Sequence, residues 1–230
     1  MEKADIANLK NQIKQIFEQQ INVVEVSSHV CQSQIPKSNT VYVVKCSVMF
    51  VDMRNSTELT STIGKENITK VYKALSRIIT KSVNDNNGYI EQIQGDGYLC
   101  TFYDCEELAS GGNAINAALD VLTYIDQAYN VCVEPDMKIQ CGIGITTGHI
   151  YVAKLGAKGK NNPHAPAFPS IITNTSSKMC GAADGGEILF DDKTYHEIKD
   201  NSLKQLAKQI SKKEIGLCKS IKGIVWRIEQ

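Results

Sequence analysis

The chain has 230 residues, 42% of them hydrophobic, which is enough to build the core of one large domain or of a domain with additions. Lys and Arg together number 25, as do Asp and Glu, so the balanced charge gives no global reason to expect a nucleic-acid partner. No run of about 18 apolar residues occurs and the first ten residues are mostly polar, so neither a membrane span nor a secretory signal is predicted. We therefore expect a cytoplasmic protein.

The eight cysteines and four histidines do not follow a disulfide or zinc pattern. No C-x-x-C pair occurs, and the histidines lack the i, i+4 spacing of metal ligands. Four cysteines lie within apolar patterns, namely Cys46, Cys100, Cys141 and Cys180. Buried, reduced thiols are therefore the favoured interpretation.

The N-terminal region is predicted to begin with an amphipathic helix over residues 4–20. Its apolar residues recur at helical spacing and could pack on the same domain or on a partner: Ile6, Leu9, Ile13, Ile16 and Phe17. A short strand follows at Ile21–Val26, and the polar stretch Ser27–Asn39 reads as a loop. We therefore predict an N-terminal extension over residues 1–39 and a core domain over residues 40–230.

The core domain opens with a long apolar strand at Val41–Val51, which suits a central place in a sheet. Ser56 or Thr57 can cap the long helix that follows, and Asn86–Gly88 ends it. The apolar stripe of this helix comprises Ile68, Val71, Tyr72, Leu75, Ile78, Ile79 and Val83.

Two further strands are predicted at 88–102, GYIEQIQGDGYLCTF, joined by a tight turn at Gly95-Asp96-Gly97. A second helix carries apolar residues between Ala114 and Ile125. The alternation in KIQCGIGITTG predicts a half-buried strand, with His149–Leu155 as its partner strand.

The C-terminal part is predicted to contain several short elements. They are a functional or mobile loop at Gly156–Pro169, a helix at Ile171–Cys180, a strand at Glu187–Phe190, a helix at Asp191–Ile198, a lysine-rich helix with Leu203, Leu206 and Ile210 on its apolar side, and a strand at Ile224–Ile228. The order of elements predicts an α+β fold with a ferredoxin-like βαββαβ core and extra C-terminal strands and helices.

Two acids have the same kind of position in this plan. Asp52 lies between the first core strand and a helix start, and Asp96 lies at the tip of the hairpin. Carboxylates placed in this way suit Mg²⁺ or Mn²⁺ carrying a phosphate, and amides at a helix start suit the phosphate itself. The amides in question belong to Met53, Arg54, Asn55, Ser56 and Thr57. Taken singly, Asp52 is better explained as a helix N-cap or turn residue, and Asp96 as an ordinary type I′ turn acid.

Four stretches, in this order, resemble the class III nucleotidyl cyclase catalytic domain: FVDMRNST, IQGDGYLCTF, GIGITTGHIYVAKLG and NTSSKMCGAADGGEILF. The resemblance runs from about Val41 to Gln230. It implies conversion of a nucleoside triphosphate into a 3′,5′-cyclic monophosphate and pyrophosphate, with two Mg²⁺ or Mn²⁺ ions held by Asp52 and Asp96. It also implies a head-to-tail homodimer with its active sites at the interface.

The resemblance assigns further roles residue by residue. Asn174 matches the asparagine that orients the ribose, and Lys178 falls where the family usually has a transition-state arginine. A lysine keeps the charge but lacks the bidentate fork, and Lys178 is otherwise explained as a surface residue. Lys219 and Lys222 compete for the lysine that meets the terminal phosphates, and Lys222 is favoured because KG precedes the last strand.

Purine cyclases of this family select their base with two residues, and the corresponding positions here are Gln92 and Ala167. Adenylate cyclases typically carry Lys with Asp or Thr there, and guanylate cyclases Glu with Cys, so neither purine set is present. The amide of Gln92 is both donor and acceptor and can pair with uracil or cytosine. Alternatively, Gln92 faces solvent and the loop alignment is displaced by one or two residues.

These departures from the purine pattern make the chain most similar to the pyrimidine cyclases of bacterial Pycsar antiphage systems. That similarity implies synthesis of cyclic UMP, or else cyclic CMP, with a separate effector protein reading the signal. Two rivals stay open: an adenylate cyclase with an atypical base pocket, and a catalytically silent cyclase-like domain that binds a nucleotide. A diguanylate cyclase is disfavoured because its GG[DE]EF hairpin is absent.

Overall fold

A computed structural model describes residues 3–31, 39–105, 108–155, 165–217, 221 and 223–229. The helices are α1 (Lys3–Glu18), α2 (Ser56–Asp85), α3 (Ser110–Tyr124), α4 (Ile171–Ala182), α5 (Asp192–Glu197) and α6 (Asn201–Leu206). The strands are β1 (Asn22–Val26), β2 (Thr40–Met53), β3 (Gly88–Gln94), β4 (Gly97–Phe102), β5 (Cys141–Leu155), β6 (Ala165–Ala167), β7 (Glu187–Asp191), β8 (Lys208–Ile210) and β9 (Val225–Glu229). In the described part of the chain, no helix combines the length and apolar character that a bilayer crossing requires.

The chain divides into two compact units. The first comprises Met1–Val44 and Tyr151–Pro169, so the predicted boundary between residues 39 and 40 falls inside it. In this unit β1 runs parallel to the start of β2, and β6 pairs antiparallel with the end of β5. The predicted loop at 156–169 lies outside the described residues up to position 164.

The second unit comprises Lys45–Ile150 and Ser170–Gln230. Its strands lie in the order β3-β4-β2-β5-β7-β9-β8. The succession β2-α2-β3-β4-α3-β5 is the predicted βαββαβ core, and β7 to β9 extend the sheet beyond β5. The predicted α+β architecture is therefore confirmed.

Helices α2 and α3 cover one face of this sheet. The predicted stripe of α2 is buried at Ile68, Val71, Leu75, Ile79 and Val83, and it joins one core cluster with the apolar residues of α3 and β2. Because all four cysteines expected in the core are buried and reduced, that prediction is also confirmed.

Strand β5 differs from the prediction. It runs unbroken from Cys141 to Leu155, so His149–Leu155 is a continuation and not a partner strand, and residues 141–148 are all buried. Ile143 and Ile145 face α2 and α3, whereas the alternate Gly142 and Gly144 lie under α4. In a period-2 pattern, a glycine is easily taken for a residue that faces solvent. Here the glycines lie on a second buried face of the strand, against α4.

The start of α2 also differs from the prediction. Its N-cap is Asn55, with φ 55°, and neither Ser56 nor Thr57 holds that position. Asparagine tolerates this left-handed conformation better than most residues, and its carbonyl accepts the amide of Leu59 at 3.0 Å. Gly64, with φ 78°, interrupts the helix after two turns.

The lysine-rich helix predicted near the C-terminus ends early. Helix α6 stops at Leu206, and Ile210 belongs to β8, which pairs with β9. Three apolar residues at helical spacing are too short a pattern to distinguish a helix from a helix followed by a strand.

Candidate active site

The register of β2 and β4 brings the two predicted metal acids together. Val51 lies opposite Tyr98, so Asp52, one residue before the end of β2, is next to Gly97 and the hairpin turn. A side chain at Gly97 would place its Cβ 3.5 Å from Asp52 Oδ1. Two acids 44 residues apart in the sequence therefore meet at one end of the sheet.

Arg54 holds the carboxylate of Asp52 in place. Its Nη2 donates to Asp52 Oδ2 at 3.0 Å and to the Asp52 backbone carbonyl at 3.1 Å, while Nη1 donates to the Ala183 carbonyl at 3.4 Å. The pKa of Asp52 is raised by burial first and by the charge of Asp96 second, and Arg54 opposes both effects. The carboxylate is thus anchored, and burial and the charge of Asp96 together outweigh the effect of Arg54 on its pKa.

The turn at the tip of the hairpin has only one residue in the left-handed region, Gly95, with φ 65°. Because a type I′ turn needs positive φ at both central residues, the type I′ alternative for Asp96 is wrong. Asp96 Oδ2 is fully buried and has no hydrogen-bond partner among the described residues. A buried carboxylate oxygen without a donor is costly, so this atom is suited to a bound cation.

A cleft of about 310 Å³ opens beside Asp52. Its lining combines the ends of the sheet strands with α4: Phe50, Val51, Asp52, Gln92, Gln94, Gly97, Leu99, Ser177, Cys180 and Gly181. Gln92 thus shares one cleft with Asp52, although the two residues lie on different strands. This places the predicted base-reading amide beside a predicted metal acid.

Helix α4 forms one wall of the cleft because the sheet beneath it lacks side chains. A Cβ on Gly144 would lie 2.2 Å from the carbonyl oxygen of Ser176, and a Cβ on Gly142 would lie 2.9 Å from that of Ala183. The hydroxyl of Ser176 is bound to two strand carbonyls, Val48 O at 2.9 Å and Gly144 O at 2.7 Å. These contacts fix the position of α4 along the sheet.

Asn174 and Lys178 lie one turn apart on the exposed surface of α4. Neither residue lines the cleft, and within the described part of the chain neither side chain has a hydrogen-bond or ion-pair partner. The structure thus brings together Asp52, Asp96 and Gln92, but it does not bring Asn174 or Lys178 into the same cleft.

The remaining predicted residues have mixed outcomes. The amide of Arg54 donates to the Gln140 carbonyl at 2.8 Å and is therefore not available to a phosphate. Phosphate binding by the other backbone amides of this stretch stays a prediction, namely those of Met53, Asn55, Ser56 and Thr57. Ala167 lies in β6 of the first unit, opposite Ala153. Lys222, like its rival Lys219, lies outside the described residues.

A family model described as the adenylate and guanylate cyclase catalytic domain matches residues 39–220. The chain belongs to this family. The match covers every element from β2 to β8, including both aspartates, the hairpin and α4.

Two curated relatives of this cyclase domain carry the name uridylate cyclase. The protein of Treponema porcinum is 23% identical over 207 residues, covering 87% of this chain and 71% of its own length. That of Gulbenkiania mobilis is 28% identical over 151 residues, covering 61% and 57%. A Dictyostelium discoideum adenylate cyclase, terminal-differentiation specific, is 19% identical and matched over 6% of its length.

Solved structures of other cyclases share the fold. The adenylyl cyclase CyaB of P. aeruginosa superposes with a TM-score of 0.66 at 21% identity, covering 83% of this chain and 96% of that one. The guanylyl cyclase domain of the RhoGC fusion protein of Blastocladiella emersonii, described as a non-canonical dimer, superposes with a TM-score of 0.62 at 20% identity, covering 80% and 95%. These similarities establish the class III cyclase fold.

The acids of this cyclase domain fit a metal that is shared with a substrate. Among the described residues no group of three or more His, Cys, Asp or Glu could hold a metal ion. Mg²⁺ typically takes one or two carboxylates and completes its octahedron with water and substrate phosphates. A pair of carboxylates with one unpartnered oxygen matches that pattern, whereas an all-protein cage would need more ligands.

Sequence reasoning missed several residues of the site. The clamp by Arg54, and the cleft wall formed by Ser177 and Gly181, were not predicted. The i, i+4 spacing of Ser177 and Gly181 was visible in the sequence, but only the packing of α4 shows which of its faces meets the cleft. The available signal for that packing was the pair of glycines, Gly142 and Gly144, at alternate positions of the apolar pattern of β5.

Proposed function

We propose that this cyclase domain converts a pyrimidine nucleoside triphosphate, with UTP favoured over CTP, into the 3′,5′-cyclic monophosphate and pyrophosphate. The observation that carries the proposal is the single cleft shared by Asp52 and Gln92, with Asp96 beside it. The names of the two bacterial relatives support the choice of uracil, since each is a uridylate cyclase.

The reaction is an internal displacement at the α-phosphorus. The ribose 3′-oxygen forms a bond to the α-phosphorus, the bond from that phosphorus to the bridging α,β-oxygen breaks, and pyrophosphate leaves with that oxygen. The hydroxyl proton passes to water or to a phosphate oxygen. Since both reacting groups belong to one molecule, alignment is the main requirement, and holding them in contact can contribute about 7 to 11 kcal/mol.

Asp52 and Asp96 would hold the divalent cations, Mg²⁺ or Mn²⁺, that the family implies. When bound, these cations lower the pKa of the 3′-hydroxyl and neutralise charge on the triphosphate. Arg54 keeps the Asp52 carboxylate at a fixed angle, because it binds the carboxylate and the backbone carbonyl of the same residue. The site is therefore organised before the substrate arrives.

Gln92 would read the base. Its side-chain amide offers one acceptor and two donors, which matches the adjacent carbonyl and N–H groups on the Watson–Crick edge of uracil. A site that hydrogen-bonds its substrate in this way can reject a base lacking the partner groups by about 10⁴-fold. Lys or Glu at this position, as in the purine cyclases, would supply a different pattern.

Asn174 and Lys178 would act from a second copy of the chain. They are exposed on α4 and lie outside the cleft of their own chain, so a homodimer with shared sites gives them a place. Asn174 would orient the ribose, and Lys178 would stabilise the charge that develops on the α-phosphate.

The test is product identification with purified protein. UTP, CTP, ATP and GTP, each with Mn²⁺ or Mg²⁺, are incubated separately, and the products are separated by chromatography with mass detection. We expect cyclic UMP as the main product. Dominant cyclic AMP would instead support the adenylate cyclase alternative, and no product from any nucleotide would support a silent domain.

A biological role as an antiphage signal synthase is part of the same proposal. The product would be read by a separate effector protein that does not bind the cyclase itself. Expressing the chain with its Asp96→Ala variant as control, and measuring cyclic UMP in cells before and after phage infection, tests this role. A cyclic UMP level that does not rise on infection would contradict it.

A further inference from the structure

The apolar side of α1 is uncovered. Every described side chain from Asp5 to Glu18 is exposed. The exposed apolar residues are Ile6 (40%), Leu9 (56%), Ile13 (45%), Ile16 (65%) and Phe17 (85%). A 16-residue helix is close to the shortest that persists in water, and most helices in proteins are stabilised by packing of an apolar face. A surface of this kind indicates a partner.

The spacing of the apolar residues identifies the kind of partner. Ile6, Leu9, Ile13 and Ile16 are separated by three, four and three residues, which are the a, d, a and d positions of two heptads. From Ile6 to Ile16 the seam is confined to a and d positions, and only Phe17 widens it, at an e position. A narrow seam packs against another helix with the same seam, whereas a helix on a globular core usually carries a wider stripe. In the first heptad, isoleucine at a and leucine at d favour two strands, whereas Ile16 at the second d position does not add to that preference.

The charges beside the seam favour a second copy of the same helix in parallel. In this register Asp5 occupies a g position and Lys10 the e position five residues later. In a parallel, in-register pair these positions face each other across the interface, so two Asp5–Lys10 ion pairs form. In an antiparallel pair that sets residue 6 opposite residue 16, g faces g and e faces e, so Lys10 meets Lys10 of the other copy and Asp5 lies towards the uncharged Gln19.

The other charges of α1 do not interfere with this pairing. Lys14 and Glu18 occupy b and f positions, away from the seam, and they form an ion pair within the helix at 3.6 Å. The seam itself contains no charge between Ile6 and Ile16. Pairing therefore buries apolar surface without burying an unpaired charge.

We propose that α1 pairs in parallel and in register with α1 of a second copy, forming a two-heptad coiled coil. The pairing rests on the homodimer of the proposed function, because two heptads alone are too short to hold two chains together. Within a dimer joined elsewhere, the helices meet at an effective concentration of about the millimolar range, and a weak coiled coil then forms.

Disulfide trapping tests the register. Ile6→Cys is introduced into the full chain after the exposed Cys31, Cys105 and Cys132, together with Cys218, are replaced by serine. In a parallel pair the two introduced thiols lie across the seam within disulfide reach, so we expect cross-linking at least about 10-fold faster than for Asn11→Cys at the outward f position. Equal rates would overturn the proposal.

An antiparallel pair has a different signature. It would place residue 6 near residue 16 of the other copy, so Ile6→Cys would cross-link with Ile16→Cys in a mixed sample and not with itself. That result would also overturn the proposal.

Charge reversal tests the flanking pairs. In the Ile6→Cys background, Asp5→Lys sets two lysines opposite each other, and we expect cross-linking to slow several-fold. Adding Lys10→Asp restores the opposite charges in swapped order and should restore the rate. A cross-linking rate that stays the same in both variants would contradict the Asp5–Lys10 contact and, with it, the parallel register.

Sedimentation and UTP turnover of the unmodified chain separate this inference from the proposed function. A dimeric, active protein that gives no Ile6→Cys cross-link above the control overturns the coiled coil alone. Cross-linking without turnover of any nucleotide supports the coiled coil and removes the proposed activity. A monomeric, inactive protein overturns both.

Discussion

The cleft beside Asp52 and the exposed surface of α4 differ in how far one chain positions their side chains. In the cleft, the Asp52 carboxylate is fixed by Arg54, Asp96 lies close enough to raise the pKa of Asp52, and Gln92 lines the same space. On α4, Asn174 and Lys178 are held by no described side chain. The cleft is therefore organised within a single chain, whereas α4 presents two candidate site residues to solvent.

Under the proposed function, this difference marks where a second copy would act. The acids would bind a cation without a partner chain, whereas the ribose and the α-phosphate would be bound from the opposite side by the second copy. An exposed polar surface on a helix that is itself rigidly packed on the sheet is suited to that task, since its side chains are positioned without being buried.

Neutralising an acid should have the largest effect. Asp52→Asn or Asp96→Asn removes one carboxylate from the cation site, and we expect cyclase turnover to fall about 10³-fold or more. The stability of Asp96→Asn should not fall, because the repulsion that raises the pKa of Asp52 is removed when residue 96 is neutral. Turnover and urea unfolding of the same samples check both expectations.

The matched control is Asp85→Asn on the exposed side of α2. It removes an ion pair with Lys81 at 2.6 Å, which contributes only a few tenths of a kcal/mol on a helix surface. Turnover should remain at the unmodified level. Full activity in Asp96→Asn would refute the assignment of the acids.

Mixing two inactive variants should restore activity. Asp96→Ala and Asn174→Ala each disable both sites of a homodimer, but a mixed dimer would keep one intact site. Equal mixing gives about half mixed dimers with one of two sites working, so about a quarter of full turnover is expected. Mixing Asp96→Ala with Asp52→Ala serves as the control, because no intact site can form. Absence of recovery in the first mixture would contradict shared sites.

Adding one methyl group under α4 should destabilise the fold. A Cβ on Gly144 would lie 2.2 Å from the Ser176 carbonyl oxygen and 2.3 Å from the Cys180 amide nitrogen, so Gly144→Ala must displace α4. We expect a loss of about 3 kcal/mol in the free energy of unfolding, measured in urea.

Gly181→Ala is the matched control within α4 itself. A Cβ there has no atom within 4 Å, and alanine favours the helix by about 0.5 to 1 kcal/mol. Its stability should rise. An unchanged stability in Gly144→Ala would show that α4 is not seated by the glycines.

Substitution of Lys178 should have the smallest effect of the series. Lys178→Ala removes a cation from the transition state, and about a 10²-fold loss of turnover is expected with little change in stability, since the side chain is exposed. Lys178→Arg keeps the charge and adds a fork, so turnover should stay within a few fold. Equal turnover in Lys178→Ala and the unmodified chain would refute a catalytic role and support the alternative that Lys178 is only a surface residue.

Much of the fold followed from patterns in the sequence. The stripe of α2, the hairpin at Asp96, the N-terminal helix and the βαββαβ order were predicted because each depends on local periodicity or on turn residues. β5 was misjudged because glycine contributes no side chain to a pattern. Whether a glycine faces water or a helix is decided only by what packs against it.

The sequence alone determined that Asp52 and Asp96 each occupy a strand end or a turn, since apolar runs and Gly95 specify those places locally. Three features could be read only from the folded chain: the contact of Arg54 with Asp52, the cleft that Gln92 shares with Asp52, and the position of Asn174 and Lys178 outside that cleft. The physical reason is that strand register and helix seating depend on contacts between residues far apart in the chain, which no local pattern encodes.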